Sequence, residues 1–241
     1  MMATAIVTGA SQGLGAALAA GLADAGWSVV MDARHSIGLE EAAAAIRPRA
    51  RAGAQLITLV GDVTDPEHRR RLVAAARSLG GVDLVVNNAS TLGPTPLPHL
   101  DSVSLPALRQ VFEVNVVAPV ALVREAMAPL LASPDPRVVN VTSDAAVEAY
   151  EGWGGYGSSK AALDHLSAAL AAENPRLRVW AFDPGDMRTQ MHQDAFPGED
   201  ISDRPEPAMV VPVLLELVTG DHPSGRYRAV DLQAAGAGSR P

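Results

Sequence analysis

A tyrosine and a lysine lie four residues apart at the start of a predicted helix. The run Tyr156-Gly157-Ser158-Ser159-Lys160 places both side chains on one helix face. A phenol ordinarily titrates near about pH 10, so it transfers protons poorly at neutral pH unless a cation stabilises the phenolate. Lys160 can supply that cation. Because the same spacing also occurs at the start of ordinary amphipathic helices, a catalytic interpretation needs support from other residues.

Ser143 is a second candidate for chemistry. It lies thirteen residues before Tyr156 and directly follows the apolar run 138–142, which predicts a strand. Ligands of open α/β sheets bind at the carboxyl ends of the strands, so a hydroxyl here can donate a hydrogen bond to a substrate carbonyl oxygen. By itself, Ser143 is equally typical of a turn or a helix cap.

Three glycines follow the first predicted strand in the run Thr8-Gly9-Ala10-Ser11-Gln12-Gly13-Leu14-Gly15. Glycine permits both a tight turn and a close approach of the backbone to a ligand. The N–H groups at the start of the following helix can then bind a pyrophosphate. An ordinary tight turn between a strand and a helix would also accept these glycines, so the context must decide.

Short β-branched runs alternate with alanine- and leucine-rich runs of helical length. This alternation predicts one α/β domain over residues 1–241, a doubly wound Rossmann-type sheet of about seven parallel strands with helices on both faces. The predicted strands are Thr4–Thr8, Ser28–Asp32, Gln55–Val60, Leu84–Asn87, Val138–Thr142, Arg178–Phe182 and Tyr227–Val230. The predicted helices are Gly13–Gly26, Ile37–Ala52, Pro66–Leu79, Leu105–Leu131, Gly157–Ala172 and Val210–Val218. The aperiodic segment Asp186–Pro207 is predicted to be a loop that covers the substrate.

Composition excludes several classes of function. A net charge of −8 without a Lys/Arg cluster argues against a nucleic-acid surface, and the basic run His68-Arg69-Arg70-Arg71 is interpreted as a solvated helix face. The absence of cysteine excludes disulfides, thiolate zinc sites and a thiol nucleophile. No metal site is predicted, since His99, His165 and His192 lack ligand-like spacing. With no signal peptide and no apolar stretch of membrane-spanning length recognised, we expect a cytoplasmic protein that acts away from membranes.

Taken together, these motifs resemble those of the short-chain dehydrogenase/reductase family, and the resemblance extends over essentially the whole chain. The family's first turn reads Thr-Gly-x-x-x-Gly-x-Gly, as in residues 8–15. Four further motifs match, with the family's Asn-Asn-Ala-Gly ending here in Ser90. They are Asp62-Val63, Asn87-Asn88-Ala89, Asn115-Val116-Val117-Ala118 and Pro184-Gly185-Asp186-Met187-Arg188-Thr189.

The resemblance implies an enzyme that interconverts a carbonyl and a secondary alcohol by hydride transfer. Ser143 would stabilise the developing oxygen charge, Tyr156 would act as general acid or base, and Lys160 would also bond the nicotinamide ribose. Asn115 would hold a water that relays protons. Homodimers or homotetramers are implied, together with a small-molecule substrate. The implied cofactor contacts are Gly9, Ser11, Gln12, Gly13, Leu14, Gly15, Ala33, Arg34, Asp62, Val63, Asn88, Ala89, Tyr156, Lys160, Pro184, Gly185, Met187 and Thr189.

The end of the second strand, Met31-Asp32-Ala33-Arg34, bears on the choice of cofactor. A carboxylate that accepts hydrogen bonds from the adenosine ribose favours NAD, whereas arginine can pair with the 2′-phosphate of NADP. The family's discriminating acidic position falls on Ala33, which favours NADP(H). NAD(H) stays open, because a shift of one residue would bring Asp32 to the ribose and because Gln12 occupies a position that is often basic in NADP-using relatives.

Two other functions are compatible with this fold. A non-catalytic NADP(H)-binding sensor or scaffold would typically lack the tyrosine, the lysine or the serine, and all three are present. An epimerase or dehydratase of nucleotide sugars would usually have a longer C-terminal substrate domain than residues after Val218 allow. The identity of the substrate does not follow from the sequence.

Overall fold

Seven strands form the centre of the computed structural model, which describes residues 2–238, with the backbone alone described for 236–238. The strands are β1 (Thr4–Val7), β2 (Ser28–Ala33), β3 (Leu56–Val60), β4 (Leu84–Asn87), β5 (Arg137–Val141), β6 (Arg178–Asp183) and β7 (Gly225–Arg228). All neighbouring pairs are parallel, in the order β3-β2-β1-β4-β5-β6-β7. This confirms the predicted doubly wound α/β sheet.

Helices cover both faces of the sheet. They are α1 (Gly13–Asp24), α2 (Ser36–Ile46), α3 (Pro66–Ser78), α4 (Leu105–Phe112), α5 (Ala118–Ala132), α6 (Gly154–Glu173), α7 (Gln190–Ala195), α8 (Val211–Thr219) and α9 (Ala229–Gly238). One core joins α1, α2 and α8 to the sheet, and the other joins α3 and α5 to the opposite face. Because both faces are covered, β1, β2 and β4 are buried at every position and show no alternation of apolar and polar residues.

The chain reverses its direction of travel across the sheet between β1 and β4. The strands β2 and β3 lie on one side of β1, whereas β4 to β7 follow on the other. The loops after β1 and β4 therefore leave in opposite directions, which opens a crevice at the carboxyl ends of these two strands. The glycine turn after Val7 and the loop after Asn87 border this crevice.

The predicted end of the sheet needs correction. The last strand was predicted at Tyr227–Val230, but β7 ends at Arg228 and α9 begins at the next residue. Alternation of apolar residues over so short a run does not distinguish a strand from the first turn of a helix. The second predicted helix also ends early, since α2 stops at Ile46 and a turn with Gly53 at φ +96° leads to β3.

One helical run is long and apolar enough to cross a membrane by length and composition. The run Leu105–Ala132 joins α4 and α5 through a π-helical turn, and its most apolar window has a mean hydropathy of 1.5. The expectation that no such stretch exists was therefore wrong. In the fold, Leu122, Ala126 and Leu130 bury one side of this run against the sheet, so it packs as a core helix.

The basic run at the start of α3 is not a solvated face. His68 and Arg69 are 1% and 7% exposed, whereas Arg70 and Arg71 face solvent. Helical periodicity puts positions 68 and 69 in line with Leu72, which packs on the sheet. Arg69 is held by a hydrogen bond to the Val63 carbonyl oxygen (2.7 Å), and His68 pairs with a carboxylate of β2.

Candidate active site

A cleft of about 660 Å³ opens at the carboxyl ends of the strands. The predicted catalytic and cofactor residues that line it are Gly9, Ser11, Gln12, Gly13, Leu14, Ala33, Arg34, Asp62, Val63, Asn88, Ala89, Ser143, Tyr156, Lys160, Pro184, Gly185, Met187 and Thr189. Gly15 and Asn115 were also predicted but lie behind this surface. The topology thus brings motifs scattered from residue 9 to residue 189 around one cavity.

The glycine turn leaves no room for a side chain at Gly9 or Gly15. Gly9 has φ +65°, and a Cβ there would lie 2.9 Å from the Ala89 Cα. A Cβ on Gly15 would lie 2.4 Å from the Gly9 carbonyl oxygen and 2.5 Å from Nδ2 of Asn88. Asn88 in turn donates from Nδ2 to the Thr8 carbonyl oxygen (2.8 Å), which ties the loop after β4 to the turn.

The start of α1 is suited to an anionic ligand. Its N-cap residue, Gln12, makes no side-chain cap hydrogen bond, so the Gln12 side chain does not occupy the first-turn N–H groups. These groups carry the positive end of the helix dipole and lie where the close-packed glycine turn meets the cleft. The turn therefore fits the pyrophosphate of a dinucleotide.

Both carboxylate oxygens of Asp32 have partners within the protein. Its Oδ1 accepts the Gly9 N–H (2.8 Å) and its Oδ2 pairs with Nε2 of His68 (2.9 Å), while both side chains are 1% exposed. Burial raises the pKa of Asp32, and these two hydrogen bonds oppose that rise. The next residue, Ala33, has no carboxylate to offer a ribose. Arg34 is solvent-exposed at the rim of the same cleft, where it can meet a 2′-phosphate.

Asp62, one of the implied cofactor contacts, lines the cleft close enough to Arg34 to feel its charge. Burial alone would raise its pKa, but the N–H and hydroxyl of Thr64, both 2.8 Å from Oδ1, and the charge of Arg34 hold the pKa below its usual value. Asp62 therefore stays ionised at neutral pH. Its carboxylate is an acceptor that a ligand's amino group can meet.

Tyr156 and Lys160 lie on the buried face of α6. They are 7% and 2% exposed, and Nζ of Lys160 lies 5.5 Å from the centroid of the Tyr156 ring. Nζ also donates to the Val141 carbonyl oxygen at the end of β5 (2.8 Å). Burial lowers the pKa of Lys160 to about 8, opposed by the nearby Asp164. Burial raises the pKa of Tyr156, so the phenol is protonated at neutral pH.

Ser143 lies beside Tyr156 in the cleft. It caps a short 3₁₀ turn, accepting the Ala145 N–H (3.2 Å), and its hydroxyl donates to Oδ1 of Asp144 (2.8 Å). The hydroxyls of Ser143 and Ser90 act against the burial that raises the pKa of Tyr156. Two serine hydroxyls therefore lie near the phenol, one from the expected motif and one from the position where the family has glycine.

Asn115 lies in the π-helical turn and is fully buried. Its Oδ1 accepts the Thr91 N–H (2.9 Å) and the Ser90 hydroxyl (3.1 Å). Its Nδ2 donates to the Thr91 carbonyl oxygen (2.9 Å) and to the Ser159 hydroxyl (3.0 Å) on α6. The Asn115 side chain thus joins the loop after β4 to the helix that bears Tyr156.

Few aromatic residues occur in this chain, yet several meet at the mouth of the cleft. The Trp153 ring lies 5.6 Å from the Tyr156 ring and 5.8 Å from the Phe196 ring, measured between centroids. Phe196 in turn contacts the His192 ring at 4.9 Å. Within the predicted loop 186–207, α7 supplies the cleft residues Met191 and His192. That segment was predicted to be aperiodic, but it contains this short helix.

His68 and Arg226 bind residues of the site, but neither belongs to a recognised sequence motif. His68 holds Asp32 from α3, and Arg226 on β7 contacts three segments of the site. Each contact joins residues more than thirty positions apart, as in the separation of 36 between His68 and Asp32. A pairing between elements distant in sequence leaves no local pattern that could have predicted it.

The sheet order, the glycine turn and the buried Tyr156–Lys160 couple define a dinucleotide-binding α/β oxidoreductase. The chain belongs to the short chain dehydrogenase family, whose family model matches residues 3–200. None of the residues described in the structure forms a cluster of metal-ligating side chains.

Similar proteins are named as dehydrogenases and reductases. The chain is 38% identical over 193 residues to 1-deoxy-11-beta-hydroxypentalenate dehydrogenase of Streptomyces exfoliatus, covering 78% of this chain and 69% of that one. It is 31% identical to sepiapterin reductase of Rattus norvegicus, covering 78% and 75%. A short-chain dehydrogenase of Shigella flexneri complexed with NADP superposes with a TM-score of 0.86 at 28% identity, covering 95% and 97%.

Proposed function

We propose that the protein is an NADP(H)-dependent oxidoreductase that interconverts a carbonyl compound and its secondary alcohol, with Tyr156 as general acid or base. The observation that carries this proposal is the buried Tyr156–Lys160 couple, which shares a cleft with Ser143 and the glycine turn. Relatives named as dehydrogenases and reductases support the same reaction class.

The chemistry assigned to these residues follows from their protonation. When bound, the nicotinamide supplies or accepts the hydride. The Tyr156 phenol, protonated at neutral pH, donates its proton to the substrate oxygen during reduction, and Ser143 donates a hydrogen bond to the same oxygen. Lys160, with a pKa of about 8, is charged at neutral pH and offsets the negative charge left on Tyr156.

The preference for NADP(H) rests on the end of β2. Asp32 already accepts hydrogen bonds from Gly9 and pairs with His68, Ala33 has no carboxylate, and Arg34 lies exposed on the cleft. A guanidinium pairs with a phosphate through charge-assisted hydrogen bonds, which are stronger than neutral ones. The complexes of a Shigella flexneri relative with NADP and of an Escherichia coli relative with NADPH agree with this preference.

Titration of the protein with NADPH and NADH, followed by nicotinamide fluorescence, tests the cofactor assignment. We expect tighter binding of NADPH, and we expect Arg34→Ala to weaken NADPH by about 10- to 100-fold, the loss of a charge-assisted hydrogen bond, while changing NADH little. Arg47→Ala, an exposed arginine beyond α2, is the matched control. Equal weakening of both cofactors by Arg34→Ala would contradict the phosphate contact.

Measurement of turnover tests the proposed carbonyl reduction and the role of Tyr156 as the proton donor. The wild-type protein is screened with NADPH against reactive 1,2-diketones and β-keto esters, and Tyr156→Phe is then compared on the compound reduced fastest. We expect the variant to bind NADPH normally and to lose nearly all turnover, because only the proton donor is removed. NADPH binding without turnover of any carbonyl by the wild type would favour a sensor or scaffold instead.

We also propose that the protein self-associates as a dimer or tetramer. Supporting this, the surface next to the π-helical turn and α6 exposes Val117, Val120 and Leu166 at 47%, 44% and 37%. Contiguous exposed apolar side chains commonly mark protein interfaces. Sedimentation velocity at micromolar concentration would test it, and a monomer at all concentrations would contradict the proposal.

A further inference from the structure

Arg226 on β7 contacts three segments of the active site at once. Its Nε donates to Oδ2 of Asp164 on α6 (2.9 Å). Its guanidinium Nη2 donates both to Oδ2 of Asp183 at the end of β6 (3.0 Å) and to the Ser143 carbonyl oxygen (3.0 Å). A planar guanidinium has donors in a fixed geometry, so three such contacts fix the three acceptors relative to one another.

Each of the three acceptors belongs to a segment that the reaction needs. Ser143 carries the hydroxyl to which the proposed function assigns a hydrogen bond to the substrate oxygen. Asp183 also accepts the Gly185 N–H through Oδ1 (3.0 Å) and so shapes the turn that lines the cofactor cleft. Asp164 lies one helical turn after Lys160, on the helix that carries Tyr156. Arg226 therefore ties the catalytic serine, the cofactor turn and the catalytic helix to the sheet.

Arg226 also balances the charge behind the site. The side chains of Asp183 and Asp164 are only 4% and 16% exposed, and within residues 2–238 each forms an ion pair with Arg226 and with no other cation. An ionised carboxylate that is buried without a partner is costly. The charge of Arg226 therefore offsets the cost of burying both carboxylates.

We propose that Arg226 is a positioning residue of the active site, which holds the Ser143 carbonyl, the turn after β6 and α6 in register and neutralises Asp164 and Asp183 behind the reacting groups. This inference rests on the oxidoreductase function proposed above. Arg226 does not line the cleft, so its effect is exerted through Ser143, Lys160 and Tyr156.

The charges around Tyr156 and Lys160 determine in which direction the pH dependence of activity shifts when Arg226 is removed. Asp164 raises the pKa of Lys160 against the effect of burial. Asp144 and Asp183 add their charges to the burial that raises the pKa of Tyr156. Arg226 is paired with both Asp164 and Asp183 and partly cancels their charges. Without Arg226, the two aspartates should raise the pKa values of Lys160 and Tyr156 further. The fall in activity at high pH should then move to higher pH.

The experiment compares Arg226→Gln, Arg226→Lys and Asp164→Asn with the wild type, using NADPH and the carbonyl compound from the screen. The matched control is Arg228→Gln, on the same strand but exposed and outside the site. The readouts are kcat, the NADPH dissociation constant and the pH profile of kcat, each expressed per NADPH-binding site. Normalising to binding sites removes any loss that is due only to unfolded protein.

For Arg226→Gln we expect kcat to fall at least about tenfold, because small misplacements of catalytic groups cost one to two orders of magnitude. NADPH affinity should fall by a smaller factor than kcat, because only the turn after β6 loses a support, whereas Arg34 and the glycine turn are not touched. The fall in kcat at high pH should move to higher pH by about 0.5 to 1 pH unit, because a nearby negative charge is no longer neutralised. In Arg226→Lys the fall in kcat at high pH should occur at the wild-type pH, because lysine keeps the positive charge. Its kcat should stay low, because lysine lacks the planar geometry of the guanidinium.

Asp164→Asn keeps a hydrogen-bonding side chain but removes one charge, so its fall in kcat at high pH should shift to lower pH, opposite to Arg226→Gln. If Arg226→Gln does not fold, Arg226→Lys and Asp164→Asn carry the test. Wild-type kcat and pH profile in both would overturn the proposal, as would losses in Arg226→Gln that vanish after normalisation. If Tyr156→Phe retains full turnover, the proposed function itself fails; if Tyr156→Phe is inactive and the Arg226 variants resemble wild type, only this inference fails.

Discussion

Replacing His68 by leucine removes the partner of a buried carboxylate. In the native structure Nε2 of His68 lies 2.9 Å from Oδ2 of Asp32, and both side chains are 1% exposed. Removing one member of such a pair costs about 3–5 kcal/mol, because the remaining charge stays buried. Asp32 retains the Gly9 N–H, so we expect the lower end, about 3 kcal/mol of unfolding free energy. For a chain of this length that corresponds to a Tm lowered by about 6–12 °C.

The loss should grow with pH. Burial raises the pKa of Asp32 above its usual value. A carboxyl group whose pKa is raised in the folded state favours folding below its unfolded pKa, and that contribution is lost as the pH rises through the folded pKa. At pH 5 a larger fraction of Asp32 is protonated than at pH 8, so the loss of His68 should cost less unfolding free energy at pH 5. At pH 8 the ionised fraction of Asp32 is larger than at pH 5, so His68→Leu leaves more of the carboxylate short of one donor.

Denaturant unfolding at pH 5 and pH 8 measures this effect in the wild type, His68→Leu, Asp32→Asn and the double variant. We expect the double variant to recover about 1–2 kcal/mol relative to the sum of the single changes, because the leucine no longer faces a charge. Arg71→Leu, at an exposed position on the same helix, is the matched control. A loss below about 1 kcal/mol, or strict additivity in the cycle, would refute the buried-pair reasoning.

Two further predictions concern the cofactor site and the reaction. Gly15→Ala should abolish NADPH binding measured by fluorescence and lower the Tm, because its Cβ would lie 2.4 Å from the Gly9 carbonyl oxygen. The control is Gly38→Ala, at a helical glycine whose added Cβ would make only an ordinary contact, 3.6 Å from the Cβ of Ser11. The pH profile of carbonyl reduction should be flat near neutrality and fall above about pH 8, where the buried Lys160 loses its proton and its charge no longer assists Tyr156. A profile still rising at pH 9 would contradict the role of the lysine charge.

Much of the architecture could be read from the sequence. The seven parallel strands follow from short β-branched runs separated by alanine- and leucine-rich helices, since a strand buried on both faces is mostly apolar. The glycine turn and the Tyr156–Lys160 spacing were also local patterns, each contained in one turn or one helix. Element ends were harder to predict, as the boundary between β7 and α9 shows, because a few apolar residues suit either state.

The resemblance to a family extended this reading to residues that no local pattern identifies. Asn115 and the turn 184–189 became candidates through their order along the chain, and Ser143, already a candidate at a strand end, gained its assigned role from its spacing to Tyr156. The fold brings Ser143 and that turn onto the cleft. Asn115 lies behind the surface, where its side chain bonds Ser90, Thr91 and Ser159. Its predicted role in holding a water stays a prediction.

Sequence by itself determined which elements form and which segments carry reactive groups, because helix and strand periods and tight turns depend on neighbours a few residues away. Only the tertiary structure decided how those groups are held. The pairing of Asp32 with His68 and the three contacts of Arg226 join elements distant along the chain. Buried charges select their partners by proximity in space, and that proximity exists only after the sheet and its helices have packed.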